Sequence, residues 1–355
     1  MSSTSTNISK VPPLSNGRAD AKNTLRPKKP LKDSAGRGNM ALRLGVFIAI
    51  TVVLCVLYMT IEVDPKIFDY TMKLRSTKLI GILLAAFCIG TATIVFQTII
   101  KNRIVTPCLL GMNSLYILLH TTLAFILGAS SPFVSDRNIA FVIDIVVMGI
   151  VGTIIYSLLM KKTNYNILYV LLSGTIMATL FGSISDAMAV LIDPNEYETL
   201  LNTLIAGFDH INAEIFISAL VLISLTLAVF WKDIKMLNIL TLGREYTVNL
   251  GVDFDRATSR LLVAVVLMIT IATALVGPIS FLGLITANIA RESFKTYKHS
   301  YLMVCSFLVG AIVLLFGQIL IEHLLHFSTA VTVMVSLFGG IYFLYLILSK
   351  NKGAL

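Results

Sequence analysis

Long runs of apolar residues, separated by short polar segments, dominate the chain beyond Leu42. A run of about 20 apolar residues is long enough to cross a bilayer as a helix, and in lipid the backbone hydrogen bonds must be closed within that helix. We therefore predict an all-α polytopic membrane protein with about ten transmembrane helices. The predicted spans are 44–61, 79–100, 109–128, 139–160, 166–190, 213–231, 260–277, 278–290, 301–322 and 329–349.

The eighth run is too short to cross the bilayer alone as a straight helix. Gly277 and Pro278 separate it from the seventh run, and proline interrupts a helix because it lacks a backbone N–H and its ring clashes with the preceding turn. Non-helical backbone at membrane depth is tolerated only where protein or water surrounds it. We expect this run to pack deep inside the bundle or to re-enter the membrane.

The composition agrees with a membrane protein. Hydrophobic residues make up 56% of the chain and charged residues 13%, against roughly 45–50% and about 25% in soluble domains. Residues 1–43 are polar and basic, and we predict a disordered cytoplasmic tail there, followed by a transmembrane domain at 44–349 and a cytoplasmic C-terminus at 350–355. The first apolar run is typical of a start-anchor helix rather than a cleavable signal peptide.

The distribution of basic residues predicts the orientation. With both termini in the cytoplasm, most Lys and Arg residues fall on cytoplasmic segments, as the positive-inside rule requires. The net charge of +9 therefore reflects topology and contact with membrane lipid, and we expect no nucleic-acid partner. The outer segments carry the remaining basic residues, which are Lys66, Lys73, Arg75, Lys78 and Arg137.

The longest predicted cytoplasmic loop, at about 232–259, contains two short helical patterns. Gly243 and Gly251 bracket the first pattern, and Gly251 suits a left-handed helix end. Asp253 or Asp255 could cap the helix that follows. Two short helices held between two spans make a rigid projection that can fit a groove on another protein. An ordinary loop with local helix is an equally open interpretation.

A second feature lies one span later, at residues 276–291. Gly277 and Gly283 allow close approach of the backbone to a neighbouring helix, and Pro278 fixes a break. The segment ends at Arg291, at the predicted inner face of the membrane. Helix packing alone would also explain the glycines.

In this order and at this spacing, the two features resemble the FecCD-like iron-chelate and vitamin B12 class of ABC importer permeases. That family has a Leu-Gly-x-x-x-Ala-x-x-Leu-Gly-Val loop, a span, and then Gly-x-x-Gly-Phe-x-Gly-Leu-x-x-Pro-His-x-x-Arg. Residues 106–114 also resemble its Asp-Pro-x-Leu-Leu-Gly-x-x-Ser segment, and 75–78 its Arg-x-x-Arg. The matching residues of the first two patterns are Leu242, Gly243, Leu250, Gly251, Val252, Gly277, Phe281, Gly283, Leu284 and Arg291.

The chain also departs from the family pattern. Ala287 and Asn288 stand where the family has Pro-His, Lys78 replaces the second arginine, and Val248 replaces the loop alanine. The Pro-x-Gly turn before the last span is replaced around 328–330. These differences indicate a divergent subgroup and weaken any inference about which chelate is carried.

The resemblance implies a BtuC-like fold and the transport of iron chelates, ferric siderophores foremost, with vitamin B12 or haem as alternatives. It places ATPase coupling at Leu242, Gly243, Arg244, Glu245, Asn249, Leu250, Gly251 and Asp253. It places docking of an extracytoplasmic substrate-binding protein at Arg75 and Lys78. The predicted translocation and gate residues are Gly277, Pro278, Phe281, Gly283 and Asn288, together with Asp186, which is an ionisable residue within a span.

An ionisable side chain within a span is costly, about 2.5–3.5 kcal/mol on insertion scales. Asp186 is the clearest case, and Asp144 and His120 lie nearer the predicted outer halves of their spans. We expect each of the three to face the bundle interior or a water-filled path.

The same resemblance implies three protein partners: an ABC ATPase dimer, a second permease subunit, identical or paralogous, and the substrate-binding protein. The sequence contains no Gly-x-x-x-x-Gly-Lys-Ser/Thr phosphate loop, so ATP and Mg²⁺ should bind the separate ATPase. We expect no enzyme activity, cofactor or metal site in this chain. An ion-coupled secondary transporter is the alternative from another class, but it would need paired intramembrane carboxylates and inverted repeats.

Overall fold

The structure is a computed structural model of the 355-residue chain. The N-terminal tail predicted to be disordered lies outside the described residues up to residue 32, and so does most of the short C-terminal segment. Residues 1–42 and 43–355 form separate units, and the second unit contains the predicted transmembrane domain. The structure describes residues 33–61, 66, 68–163, 167–205, 207–208, 213–294, 296–324 and 329–351.

The described residues fold into thirteen α-helices, with a short 3-10 turn at Cys108–Leu110 and no strand. The helices α1 to α13 are Asp33–Thr60, Phe68–Ile100, Met112–Leu127, Pro132–Ser135, Arg137–Lys162, Ile167–Ala189, Pro194–Leu204, Ala213–Leu240, Arg244–Asn249, Phe254–Val276, Leu282–Ser293, His299–His323 and Val331–Asn351.

Ten of these helices correspond to the ten predicted runs. Seven of the helices in the described part of the chain are long and apolar enough to cross a membrane. Two shorter apolar helices, Met112–Leu127 and Val331–Leu346, and the 12-residue α11 account for the other three runs. The predicted all-α architecture is confirmed.

Helix α2 is the centre of the bundle. It packs against α8, α10, α11 and α12, and its residues from Cys88 to Ile100 are buried without interruption. The contact with α12 is close because small residues line it: the Ser306 hydroxyl donates to the Gly90 carbonyl at 3.2 Å, and a Cβ on Gly310 would lie 3.2 Å from Ala86 Cβ. Small residues permit such packing where the hydrophobic effect adds little between helices in lipid.

Helix α11 confirms the expectation for the eighth run. Twelve residues span about 18 Å, which is less than the roughly 30 Å of the hydrocarbon core. The helix packs inside the bundle against α2, α12 and α13, and its residues from Leu282 to Asn288 are buried. Gly283 makes this possible, because a Cβ at that position would overlap the Thr93 side chain on α2.

Candidate functional site: the elbow and the translocation segment

Residues 242–256, which we call the elbow, connect α8 to α10 through the short helix α9. Gly251 has a φ of +80°, so the predicted left-handed helix end is confirmed. The Val252 N–H donates to the Thr247 carbonyl at 3.1 Å and the Gly251 N–H to the Val248 carbonyl at 2.9 Å. These two bonds satisfy the last carbonyls of α9 and end the helix at a fixed place.

Asp253, one of two candidate caps in the sequence, caps α10. Its carboxylate accepts a hydrogen bond from the Arg256 N–H at 3.1 Å and pairs with the Arg256 side chain at 3.0 Å. Asp255 instead pairs with Arg244 at 2.8 Å, which ties the start of α9 to the start of α10. Both ion pairs are exposed and contribute about 0–1 kcal/mol each, so they orient the elbow more than they stabilise it.

The elbow has an exposed apolar surface. Leu242, Tyr246, Val248 and Leu250 are all more than half exposed, although they lie outside the helices that are long enough to cross a membrane. Exposed apolar patches of this kind are typical of surfaces that contact another protein or a membrane. Gly243 is the buried exception among the predicted coupling residues, and the exposed ones are Leu242, Arg244, Glu245, Asn249, Leu250, Gly251 and Asp253.

The second part of the site is the segment 277–288, which we call the translocation segment. Gly277, with a φ of +93°, ends α10 and donates its N–H to the Thr273 carbonyl at 2.7 Å. Pro278 follows, and it cannot extend the helix. The predicted break between the seventh and eighth runs is therefore confirmed at these two residues.

Phe281 holds an unusual backbone conformation at the start of α11. Its φ of +61° is left-handed, which costs a residue with a Cβ roughly 1–2 kcal/mol. The surrounding packing offsets this cost: Phe281 contacts Gly339 of α13, where a Cβ would overlap it, and its ring lies 6.2 Å from the Phe343 ring. Phe281 thus connects the translocation segment to α13.

The structure brings two of the sequence motifs into contact. Asn113, in the segment 106–114, donates its Nδ2 hydrogen to the Ser280 hydroxyl at 3.0 Å. Asn288, which stands where the family has histidine, donates to the Arg103 carbonyl at 3.1 Å and to the Leu284 carbonyl at 2.9 Å. The translocation segment therefore contacts the start of α3 through Ser280 and the turn after α2 through Asn288.

Arg75, predicted to dock a partner protein, makes hydrogen bonds within the chain. Its guanidinium donates to the Tyr58 carbonyl at 3.0 Å and to the Ile61 carbonyl at 2.6 Å, and lies 5.8 Å from the Tyr58 ring centre. A cation at the carbonyl end of a helix is favourable. Arg75 therefore closes the end of α1, which the sequence alone did not indicate.

Lys78, the other predicted docking residue, is buried. Its side chain is only 6% exposed, and its Nζ lies 3.2 Å from Oε1 of Glu322, which is 7% exposed. The placement favours a structural role over the predicted docking role, because an extracytoplasmic protein cannot reach a side chain inside the bundle. Sequence reasoning missed this pair, since Glu322 is far along the chain on α12.

The three intraspan ionisable residues divide into two groups. His120 and Asp144 face the bundle as expected, with His120 Nε2 3.0 Å from Asp144 Oδ1 and side chains only 1% and 2% exposed. Asp186 instead lies on an exposed face near the end of α6. It therefore does not face the interior of this chain's own bundle, and the other expected location, a water-filled path, stays a prediction. The adjacent Ser185 is the buried residue there, and its hydroxyl donates to Thr121 of α3 at 3.2 Å.

Comparison with known proteins identifies the family. The model of the FecCD transport family matches residues 40–349. The chain is 41% identical over 285 residues to the petrobactin import system permease protein YclO of Bacillus subtilis (strain 168), covering 80% of this chain and 90% of YclO. It is 31% identical over 291 residues to the petrobactin import system permease protein FatC of Bacillus anthracis, covering 82% of each chain.

A solved structure has the same fold. It is a metal-chelate type ABC transporter in an inward-facing conformation, with a TM-score of 0.71 and 20% identity, and the match covers 87% of this chain and 99% of that one. The predicted BtuC-like fold is confirmed. The chain is a member of the FecCD transport family of iron-chelate ABC importer permeases and a multi-pass protein of the bacterial cytoplasmic membrane.

Proposed function

We propose that this chain translocates a ferric siderophore across the cytoplasmic membrane, driven by a separate ABC ATPase dimer that docks on the elbow. The names of its relatives support a siderophore: YclO and FatC are petrobactin import permeases, and FepD of Escherichia coli (strain K12), 25% identical over 277 residues, serves ferric enterobactin. Vitamin B12 and haem remain the alternatives within the class.

The observation that carries the proposal is the exposed apolar surface of the elbow. An apolar patch outside the spans is stabilised when a partner covers it, and α9 is held between α8 and α10 by the hydrogen bonds around Gly251. Helix α10 packs directly on the central α2. A displacement of the elbow by ATP-driven closure of the partner would therefore reach the middle of the bundle as a rigid-body motion.

The proposed assembly contains three kinds of partner. Two ATPase subunits bind ATP and Mg²⁺, a second permease, identical or paralogous, completes the pathway, and an extracytoplasmic protein delivers the chelate. An ion-coupled mechanism is less well supported, because Asp144 pairs with His120 and Glu322 with Lys78. Neither carboxylate is thus free to bind a coupling cation.

Replacing Gly251 by Pro should lower siderophore uptake and stimulated ATP hydrolysis at least tenfold. Proline removes the N–H that bonds to Val248 and cannot adopt a φ of +80°, so the end of α9 must rearrange. Gly251→Asn is the matched control, because asparagine tolerates the left-handed conformation, and it should retain most of the activity. The measurement uses proteoliposomes containing the permease, its ATPase and its binding protein.

Two results would overturn the proposed coupling. One is a Gly251→Pro permease that transports as the unmodified protein does. The other is uptake that continues without ATPase and follows an imposed ion gradient. The substrate is tested separately, by measuring uptake of ferric siderophores, vitamin B12 and haem in the same vesicles.

We still propose Asp186 as a pathway residue. The proposal rests on its exposed position on α6 and not on a place in the interior of the bundle. Asp186→Asn should lower uptake severalfold and leave the melting temperature unchanged, because an exposed carboxylate contributes little to folding. Glu198→Gln, at an exposed position on α7, is the control and should have no effect. Unchanged uptake by Asp186→Asn would remove the residue from the pathway.

A further inference from the structure

A cavity of about 810 Å³ lies beside the elbow, where the ends of α2 and α5 meet the starts of α9 and α10. Its wall is strongly basic, since five cationic side chains and a single carboxylate line it. These six residues are Lys101, Lys161, Arg244, Arg256, Arg260 and Asp255.

The three arginines of the cavity already have acidic partners. Arg244 pairs with Asp255 at 2.8 Å, Arg256 with Asp253 at 3.0 Å, and Arg260 with Asp233 at 3.1 Å. These pairs leave the charges of the two lysines unbalanced.

Lys101 and Lys161 are both exposed, and neither pairs with a carboxylate in the part of the chain that the structure describes. Each therefore presents an ammonium to the cavity. Two uncompensated cations beside a membrane attract an anion.

The backbone of Lys101 is held in an unfavourable conformation that directs it toward the elbow. Its φ is +55°, which costs a lysine more than it would cost a glycine. The bonds from the Lys101 N–H to the Thr98 carbonyl and from the Asn102 N–H to the Gln97 carbonyl fix this end of α2. Lys101 Nζ then lies 2.8 Å from the place that a Cβ on Gly243 would occupy, so the ammonium rests directly on the elbow.

An apolar strip on α5 leads to the cavity. Every fourth residue of this helix is a large apolar side chain with an exposed fraction between 50% and 60%. At 3.6 residues per turn each step of four residues turns the row by about 40°, so the strip winds around the helix and only its last three residues share one face with the end of α5. The residues of the strip are Val142, Val146, Ile150, Ile154 and Leu158.

Lys161 follows Leu158 by three residues and therefore continues the same face of α5. Lipid acyl chains lying along the strip would end at Lys161, at the interface where headgroups reside. The apolar strip and the basic cavity thus match the two parts of an anionic phospholipid, its apolar acyl chains and its anionic headgroup.

We propose that the cavity binds the phosphate headgroup of an anionic phospholipid, with its acyl chains on the α5 strip and its phosphate between Lys101 and Lys161. The inference rests on the proposed orientation, in which the elbow is cytoplasmic. Since Lys101 touches the elbow at Gly243, the bound headgroup holds the elbow against the end of α2. Anionic lipid thereby becomes a positioning ligand for the coupling surface.

The test is native mass spectrometry of the purified full-length permease with added phosphatidylglycerol or phosphatidylcholine. Lys101→Ala/Lys161→Ala should weaken phosphatidylglycerol binding about 25-fold, because a basic residue near an anionic lipid contributes about fivefold. Lys162→Ala/Lys232→Ala, which removes two exposed cations outside the cavity lining, is the matched control and should change binding less than twofold. Melting temperatures of both variants verify that they fold.

Three outcomes would overturn the lipid site. They are equal binding by the Lys101→Ala/Lys161→Ala variant, displacement of the lipid by millimolar inorganic phosphate, or a loss of ATPase association by that variant in purely phosphatidylcholine vesicles. The last result would assign the two lysines to a protein contact. Because lipid binding is measured on the permease alone, its failure leaves the Gly251 transport test unaffected.

Discussion

Replacing Glu322 by Leu should lower the free energy of unfolding by about 3–5 kcal/mol. Oε1 of Glu322 accepts hydrogen bonds from Lys78 Nζ at 3.2 Å, from the Tyr58 hydroxyl at 3.1 Å and from Gln318 Nε2 at 2.6 Å. Removal of the carboxylate takes this counter-charge, 3.2 Å away, from the buried Lys78 ammonium. Unfolding by denaturing detergent in mixed micelles measures the change.

The paired variant separates the ion pair from simple loss of packing. Lys78→Met/Glu322→Leu should recover most of the lost stability, because apolar replacement of both members of a buried pair is often neutral. Lys73→Met, at an exposed position on the same helix, should change stability by no more than about 0.5 kcal/mol. A Glu322→Leu protein within about 1 kcal/mol of the unmodified one would contradict the pairing.

Replacing Gly283 by Ala should destabilise the protein by about 1–3 kcal/mol and lower transport as well. A Cβ at this position overlaps the Thr93 side chain, so α11 must move away from α2. Since α11 carries Phe281 and Asn288, which join it to α13 and to the turn after α2, the displacement would disturb the whole translocation segment. The unfolding assay and vesicle uptake measure the two effects.

Thr93→Ala provides the rescue for this variant. The buried Thr93 hydroxyl has no hydrogen-bond partner among the described residues, so its removal alone should cost little, and Gly283→Ala/Thr93→Ala should regain stability and uptake. Gly340→Ala, where a Cβ would meet nothing within 4 Å, should be neutral or slightly stabilising because alanine favours helix. Failure of the double variant to recover would show that the glycine is required for another reason.

The features that sequence predicted well are local. Each apolar run became a helix because lipid leaves the backbone no other way to satisfy its hydrogen bonds. The left-handed end at Gly251 and the break at Gly277 depend on the residues themselves and their neighbours. Asp253 and Asp255 were equal candidates for the α10 cap; the structure has Asp253 as the cap, whereas Asp255 lies in the first turn of α10 and pairs with Arg244.

The features that sequence could not predict depend on contacts between distant segments. Lys78 and Glu322 are 244 residues apart, and nothing local marks them as partners. Asp144 and Asp186 both interrupt apolar runs, yet one is buried against His120 and the other is exposed. Hydropathy reports that a helix crosses the membrane but not which neighbours each of its faces meets, so the burial of Lys78 against Glu322 could not be predicted either.

Site-directed crosslinking at the elbow tests the central claim most directly. In a variant in which Cys55, Cys88, Cys108 and Cys305 are replaced by Ser, a cysteine is introduced as Val248→Cys on the elbow or as Glu198→Cys on α7. We expect Val248→Cys to crosslink to the ATPase subunit and only Glu198→Cys to react with an impermeant maleimide added to intact cells. Labelling of Val248→Cys from outside, or crosslinks between the ATPase and Glu198→Cys alone, would contradict coupling through the elbow.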